Sequence, residues 1–441
     1  MPSTKRTQRV AVLADSDTRW KWGALTANRI ASDISSDIRL DGYLLRGRAT
    51  PTARQLDEVG VRSDALHEVT GVEFLRAMES AREQSGPYDI VVLALVGGAV
   101  QAMLHGLAHA WQGAGRRPVV VTGYVGVVYE KLADGLLLRH GADVVLANSR
   151  QDAERFRAVY EGVGADATSV VEAALPFLGG APYTEKHDPY TVTFAAQPSV
   201  PESRADRTYL LKRMIRHAKL HPAREVLIKL RSKPGEHTTH LEEFPFQKLV
   251  QKHPLPANCR LVYGHMGEVL DRTDLLVTVS STAALESLHR RIPTAVLTDN
   301  GVREALGNHH FIGSGCLASW DQLDAGHIPA PDEEWLARQG VAADGTYENA
   351  FDLAKKRVAE LGAEPQLPPL RPYYSPTTAP GYLPGILARH HLGPDGAPLP
   401  GSPAAARQPG PVRQVVRQAA RGAYRHGVQR VAPVIRRMGE L

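Results

Sequence analysis

Short apolar runs alternate with amphipathic stretches along the first 180 residues of the chain. The runs are rich in Val, Ile and Leu and have the length of strands, whereas the stretches between them have the spacing of helices. Continuously apolar strands separated by helices are typical of a parallel sheet covered on both faces. The pattern predicts strands at residues 10–13, 40–45, 90–96, 118–122 and 143–147.

The same alternation starts again after residues 181–189, whose proline and polar content indicates a linker. We therefore predict an α/β protein with two Rossmann-like domains that face a cleft, residues 1–180 and residues 190–365. Helices near residues 332–338 and 347–361 are expected to close the second domain. Its predicted strands are residues 190–196, 225–230, 260–263, 275–279 and 294–297.

Proline and glycine become frequent beyond residue 365, so residues 366–411 are predicted to be an irregular segment that ends in a flexible linker. A basic amphipathic helix is predicted over residues 412–441, since arginines recur at every fourth position there. Such a helix suits an anionic membrane surface. A merely solubilising tail is the alternative, and nucleic acid is not expected because base-reading side chains are missing. The arginines are Arg413, Arg417, Arg421 and Arg425.

Composition narrows the class of protein. The 441 residues are 43% hydrophobic and 22% charged, which is typical of a folded soluble protein, and much of the net charge of +5 lies in the C-terminal tail. Two cysteines are too few for a disulfide framework or a thiolate metal site. We expect a cytoplasmic protein without a signal peptide or a membrane span, held peripherally at the inner face of the membrane by its tail.

The strand at residues 275–279 runs directly into a helix that begins with Ser280, Ser281 and Thr282. Hydroxyl side chains cap a helix, and the N–H groups at its start attract anions such as phosphate. Glu286, one turn further on, is placed to reach ribose hydroxyls beside that phosphate. Capping alone is the alternative explanation of the hydroxyls.

Basic side chains end the preceding strand of the second domain. Because neighbouring residues of a strand point in opposite directions, Lys229 and Arg231 are expected to face the ligand together, where they would neutralise a diphosphate. A solvated surface cluster is the alternative. Gln197 ends the first strand of this domain and is a candidate for contact with the donor's base or phosphate.

The first strand of the chain leads into Asp15 and Asp17, without the glycines of a dinucleotide-binding loop. Either carboxylate is a candidate base for an acceptor hydroxyl, and Trp20 and Trp22 are candidates to stack on a sugar. Structural capping by Asp17 is the alternative. Three residues at later strand ends are expected to line the acceptor side, unless the glycines only serve backbone geometry. They are Gly97, Gly98 and Tyr124.

The stretch from Ser280 to Ser287, followed by Pro293 and a second short strand, resembles the nucleotide-binding half of GT-B glycosyltransferases, in particular the capsule and teichoic-acid type. Over roughly residues 8–360 the chain also resembles a bacterial family that carries a glycosyltransferase label. The segments 194–198 and 227–233 recur in that family. The histidine–proline pair that the capsule enzymes carry after the basic strand is replaced here by residues 229–234.

This resemblance implies a metal-independent enzyme that moves a sugar or a related polyol phosphate from a nucleotide-activated donor. The acceptor would be a cell-envelope or polysaccharide component, either a sugar or a lipid-linked molecule. No cofactor and no metal are expected, because the histidines lack metal-ligand spacing. A nucleotide-sugar epimerase of similar architecture and a non-catalytic membrane-associated scaffold are the alternatives.

Overall fold

The computed structural model describes most of the chain up to residue 402. The predicted basic helix over residues 412–441 lies outside the described residues, so it stays a prediction. The described ranges are 7–31, 37–47, 49–84, 86–113, 115–127, 131–233, 236, 242–341 and 346–402.

The first domain is built on a seven-stranded parallel sheet with the order β3-β2-β1-β4-β5-β6-β7. All five predicted strands are present. The two that the sequence analysis missed, β3 and β7, lie at the edges of the sheet, where β3 is largely exposed and β7 has only three residues. The strands are β1 Gln8–Ala14, β2 Ile38–Leu45, β3 Ala65–Val69, β4 Ile90–Ala94, β5 Val119–Gly123, β6 Val144–Ala147 and β7 Val170–Glu172.

The second domain has a six-stranded parallel sheet with the order β10-β9-β8-β11-β12-β13. The strand order reverses between β1 and β4 in the first sheet and between β8 and β11 in the second. In open parallel sheets such a reversal leaves a crevice at the carboxyl ends of the strands. The strands are β8 Tyr190–Ala195, β9 Arg224–Lys229, β10 Cys259–Val262, β11 Leu275–Thr278, β12 Thr294–Leu297 and β13 Leu317–Ala318.

Side-chain caps determine where several helices begin. Ser149 and Ser203 each accept a hydrogen bond of 3.0 Å from the backbone N–H three residues on. No helix of the described residues is long and apolar enough to cross a membrane. The helices are α1 Asp17–Ala31, α2 Ala53–Val59, α3 Gly71–Gln84, α4 Gly97–Ala110, α5 Leu132–Leu137, α6 Arg150–Gly162, α7 Arg204–Leu220, α8 Phe246–Leu249, α9 Met266–Leu270, α10 Ala283–His289, α11 Trp320–Asp324, α12 Glu333–Arg338, α13 Asp352–Ala363 and α14 Leu383–Ala388.

After the second domain the chain returns to the first one. Helix α13 packs against α1 and against β5, β6 and β7. The Tyr347 hydroxyl donates to the Leu175 carbonyl at 2.7 Å, and the Arg29 guanidinium lies 4.8 Å from the centre of the Tyr347 ring. The helix predicted near residues 347–361 therefore closes the first domain and not the second, which corrects the predicted boundary at residue 365.

Residues 366–402 are also part of the first domain. Leu383 and Leu387 of α14 are fully buried in its core, and the Arg117 guanidinium donates to the Pro368 carbonyl at 3.0 Å. The prediction of an irregular chain holds for most of this segment, but as far as residue 402 it is packed and not a flexible linker. The proline and glycine content indicated the lack of regular structure and concealed the apolar residues that anchor the segment.

Replacement of Leu383 by Ala should lower the free energy of unfolding by about 2–5 kcal/mol, because a fully buried leucine leaves a cavity. The matched control is Leu399→Ala in the same segment, where the leucine is 39% exposed and the change should stay within about 0.5 kcal/mol. Urea denaturation of both variants measures the difference. Equal effects would show that the segment does not pack on the first domain.

Candidate functional site

The carboxyl ends of the two sheets face each other, and pairs of opposite charges join the domains there, among them Arg54 with Glu236. The Arg231 guanidinium is paired with Asp17 at 2.5 Å. The Lys229 ammonium lies 3.9 Å from Glu58, and the Lys21 ammonium lies 4.0 Å from Glu286. In each pair one residue comes from the first domain and the other from the second. The predicted base and the predicted diphosphate-binding residues therefore lie in one cleft.

Gln197 and Ser280 meet at the point where the second sheet reverses its strand order. The Ser280 backbone N–H donates to Gln197 Oε1 at 3.0 Å, and Gln197 Nε2 donates to Ser280 Oγ at 3.1 Å. The Ser280 hydroxyl also donates to the Leu306 carbonyl at 2.6 Å, and the residue is only 3% exposed. These bonds fasten the ends of β8 and β11, so the prediction of ligand contacts by Ser280 and Gln197 gives way to a structural role.

The start of α10 is satisfied mostly within the protein. The Ser281 N–H donates to Thr278 Oγ1, and the Ala283 N–H donates to Ser281 Oγ, each at 3.2 Å. Thr282 makes no capping hydrogen bond with its side chain. Its hydroxyl faces the first domain, where a methyl group added at Gly126 would lie 3.2 Å away. Of the three predicted hydroxyls, that of Thr282 is the one turned toward the cleft without a capping role.

Glu286 is a buried carboxylate on the cleft-facing side of α10. The residue is 8% exposed, and within the described residues no group donates a hydrogen bond to its side chain. Burial raises the pKa of Glu286, while Lys21, Arg290 and Lys229 act in the opposite direction. The carboxylate oxygens of Glu286 keep some access to solvent and Lys21 lies 4.0 Å away, so a ligand with O–H donors can bind them in place of water.

Lys229 and Arg231 both reach the cleft, as predicted from their alternate positions. Lys229 is buried, its ammonium donates to the Leu230 carbonyl at 2.9 Å, and burial lowers the pKa of Lys229. Arg231 is more exposed and bonds both Asp17 Oδ1 and the Thr18 hydroxyl. Lys229 is therefore not part of a solvated surface cluster, which was the alternative interpretation.

The two candidate bases differ in what binds their oxygens. Asp15 Oδ1 pairs with the Arg19 guanidinium at 2.9 Å, and Asp15 Oδ2 accepts the Val96 N–H at 3.0 Å. Asp15 therefore joins the ends of β1 and β4, and each of its oxygens already accepts one hydrogen bond. Asp17 uses only Oδ1, and no described residue bonds its Oδ2.

Trp20 and Trp22 are each 1% exposed, so neither ring offers a face to a sugar. Helix α1 lies across the first sheet, with Trp20 above Gly42 of β2 and Trp22 against Gly123 of β5. The expectation that these rings stack on an acceptor is wrong, because both belong to the core beneath the cleft.

The other predicted acceptor residues make packing contacts. A methyl group at Gly97 would lie 2.9 Å from Leu138 Cδ1, so glycine is needed where α5 approaches the start of α4. At Gly98 a methyl group would meet only Ile386, at 3.9 Å. The Tyr124 ring lies 3.9 Å below the Arg139 guanidinium, and burial raises the pKa of Tyr124. These contacts favour the alternative in which glycine serves backbone geometry and does not line the acceptor side, at least for Gly97.

The sequence analysis missed several residues of the cleft, among them Glu58, the partner of Lys229. Lys21 lies one turn after Asp17 on α1, and its ammonium is also 4.8 Å from the centre of the Phe177 ring. His265 follows β10 at the same sheet edge, and burial together with the nearby Lys21, Arg290 and Lys229 lowers the pKa of His265. Helical spacing from Asp17 was the signal for Lys21, and the strand end was the signal for His265.

One group of side chains in the described part of the chain has the composition of a metal site: His217, His221 and Asp324. It lies at the end of α7, which leads to the opposite edge of the second sheet from the cleft. His217 Nδ1 bonds Asp324 Oδ1 at 2.8 Å, and Arg213 holds the other carboxylate oxygen at 3.0 Å. Arg224 bonds His217 Nε2 at 3.3 Å. Guanidinium groups occupy the positions that a cation would need.

Comparison with known proteins identifies the family of this chain. Residues 10–361 match the family described as "Putative glycosyltransferase (DUF6716)". The chain belongs to this family. The match spans most of both domains and confirms the predicted membership, whereas no curated protein matches the sequence.

Solved structures show the same fold at low sequence identity. The S. aureus MnaA–UDP co-structure is 12% identical with a TM-score of 0.50, covering 80% of this chain and 95% of that one. The "putative UDP-N-acetylglucosamine 2-epimerase from Listeria monocytogenes" is 13% identical with a TM-score of 0.52, covering 80% and 97%. At such identities the likeness extends to the fold alone, and it confirms the predicted GT-B-like pair of domains.

Replacement of Glu286 by Gln should stabilise the empty protein at pH 7, because burial disfavours the charged carboxylate by more than Lys21, Arg290 and Lys229 favour it. The raised pKa means that the folded protein holds this proton more tightly than the unfolded chain does. Stability of the wild type therefore falls as the pH rises from the ordinary value of 4.5 toward the raised one.

The difference in unfolding free energy between Glu286→Gln and the wild type should accordingly grow over that pH range and then stay constant. Unfolding free energies between pH 4 and pH 8 measure it. The exposed Glu364→Gln serves as the matched control and should show no such growth. If Glu286→Gln gains the same unfolding free energy over the wild type at every pH, the assignment of a raised pKa to Glu286 is contradicted.

Proposed function

We propose that the chain is a glycosyltransferase that binds a nucleotide-activated sugar in the cleft between its two sheets. The observation that carries the proposal is Glu286, a buried carboxylate without a hydrogen-bond donor beside the free hydroxyl of Thr282. A ribose presents two neighbouring O–H groups, which are the donors that a carboxylate with two oxygens can accept. Hydrogen bonds to a charged group are stronger than neutral ones, and more so in a buried site.

The cations of the cleft supply the complement to a phosphate group. Lys21 lies within 4.0 Å of Glu286, and Lys229 at the end of β9 and Arg231 just beyond it belong to the second domain, as Glu286 does. A diphosphate next to the ribose would meet these side chains and the neutral ring of His265. The same cations would stabilise the negative charge that develops on the leaving diphosphate, which is the role that bound metal plays in other transferases. We therefore propose metal-independent chemistry, and activity should persist in the presence of a chelator.

Asp17 is the residue proposed to act on the acceptor. The free oxygen of Asp17 would take the proton of the acceptor hydroxyl while the oxygen of that hydroxyl bonds to the anomeric carbon of the donor sugar. The bond from this carbon to the diphosphate breaks, and the diphosphate leaves with the electron pair. The acceptor is proposed to be a cell-envelope or polysaccharide component because of the resemblance to capsule and teichoic-acid transferases. Peripheral membrane attachment through residues 412–441 would bring a lipid-linked acceptor close.

Binding of nucleotides tests the donor site. Wild-type protein should bind a ribonucleoside diphosphate, with UDP as the first probe, and should bind the 2′-deoxy and 3′-deoxy analogues less tightly. Glu286→Gln should weaken binding of the ribonucleotide about ten-fold or more, since a hydrogen bond to a charge is lost. The variant should no longer distinguish the deoxy analogues as strongly.

Calorimetric titration measures these affinities, with the exposed Glu304→Gln as the matched control in the same domain. Equal wild-type affinity for ribose and deoxyribose compounds would remove the ribose contact. Absence of any nucleotide binding would favour the non-catalytic scaffold.

Turnover tests the base. Release of nucleoside diphosphate from a panel of nucleotide sugars should fall about 10²- to 10⁴-fold in Asp17→Asn. Asp15→Asn should instead reduce stability, because both oxygens of Asp15 bond the protein. Undiminished turnover in Asp17→Asn would place the base elsewhere. Conversion of the nucleotide sugar to a stereoisomer without release of the diphosphate would identify an epimerase.

A further inference from the structure

Arg231 is bound to the candidate base in the empty cleft. We infer that Arg231 exchanges partners during the reaction: Asp17 holds it while the cleft is empty, and the diphosphate of the donor takes it when the donor binds. Once Arg231 has left, Asp17 Oδ1 is open as well as Oδ2, and the cation that weakens this carboxylate as a base is gone, so Asp17 acts as the base only after the donor has bound. This inference rests on the proposed function and adds an order of events to it.

The contact itself has the features that an exchange requires. The Arg231 Nη2 atom lies 2.5 Å from Asp17 Oδ1 and also bonds the Thr18 hydroxyl, so the guanidinium covers the start of α1. The Arg231 side chain is 30% exposed and that of Asp17 is 13% exposed. The pair is thus accessible from the cleft, and its separation costs less than that of a fully buried pair.

The backbone that carries Arg231 is held independently of this pair. Glu236 accepts the Lys233 N–H at 2.8 Å and is bonded to Arg54 of α2 in the first domain. The Leu230 N–H donates to the Val262 carbonyl at 2.9 Å, and the Lys229 carbonyl accepts the Ala196 N–H at 3.0 Å. Release of Asp17 therefore requires rotation of one long side chain and leaves the backbone of residues 229–233 in place.

The charges decide which partner the guanidinium prefers. A carboxylate carries one negative charge, whereas the diphosphate of a bound donor carries at least two and offers more acceptor oxygens. Guanidinium groups bind phosphate in a bidentate manner, which a single Asp17 oxygen does not match. As the bond to the anomeric carbon breaks, further charge develops on the leaving oxygen, and the interaction with Arg231 grows stronger.

Affinity for a nucleoside diphosphate distinguishes exchange from simple positioning. If Asp17 competes for Arg231, Asp17→Asn should tighten binding of UDP, or of the diphosphate that the wild type prefers, about five-fold, the factor equivalent to about 1 kcal/mol. Arg231→Gln should weaken the same binding, and adding Asp17→Asn to it should then change nothing. If Asp17 instead aims Arg231 at the phosphates, Asp17→Asn will weaken binding, and the inference is overturned.

Two controls separate this inference from the proposed function. The corresponding nucleoside, which lacks phosphates, should bind wild type and Asp17→Asn equally, and the exposed Asp57→Asn should leave the affinity for the diphosphate unchanged. Asp17→Ser replaces Asp17→Asn if the latter does not fold. Wild-type protein that binds no nucleotide refutes the proposed function, whereas diphosphate binding that is unaffected by Asp17→Asn and Asp17→Ser refutes the exchange alone.

Discussion

Opposite charges that face each other across the cleft join the carboxyl edges of the two sheets. Arg231 with Asp17, Lys229 with Glu58 and Lys21 with Glu286 each contribute one side chain from each domain, at 2.5, 3.9 and 4.0 Å. In the empty protein these charges balance one another. An anionic ligand that enters the cleft changes this balance, because it attracts the three cations and leaves the carboxylates to other partners. The proposed ligand would therefore meet the same side chains that form the polar part of the contact between the domains.

Helix α10 and the segment after β9, both in the second domain, are held by different means. Ala284, Leu285 and Leu288 of α10 belong to one apolar cluster with the strands of the first sheet and with the returning helix α13. The helix that carries Glu286 is consequently fixed by packing, which interiors resist changing. Arg231 lies beyond the end of β9, and its contact with the first domain consists of polar side-chain interactions. The proposed ribose site would therefore be rigid, and the proposed phosphate site beside it adjustable.

Hydrophobic periodicity was sufficient for the two parallel sheets, because buried strands must be apolar along their whole length. It failed for β3, whose exposed residues do not alternate as a core strand would, and for the chain beyond residue 365. Position at a strand end located Lys229, Arg231 and Asp17 in one cleft. Burial of the tryptophans on α1 and the internal bonds of Ser280 depend on tertiary packing, which no local pattern contains.

The burial of Glu286 illustrates why a site of this kind is hard to explain by folding alone. Glutamine or leucine at this position would avoid the desolvation cost, and the neighbouring Lys21 is too distant at 4.0 Å to donate a hydrogen bond. Capping does not account for it either, since the start of α10 is served by Thr278 and Ser281. Residues that break the rules of stable packing are expected at functional sites. Part of the desolvation cost can be recovered when a ligand supplies O–H donors, and this links the buried carboxylate to the proposed recognition of a ribose.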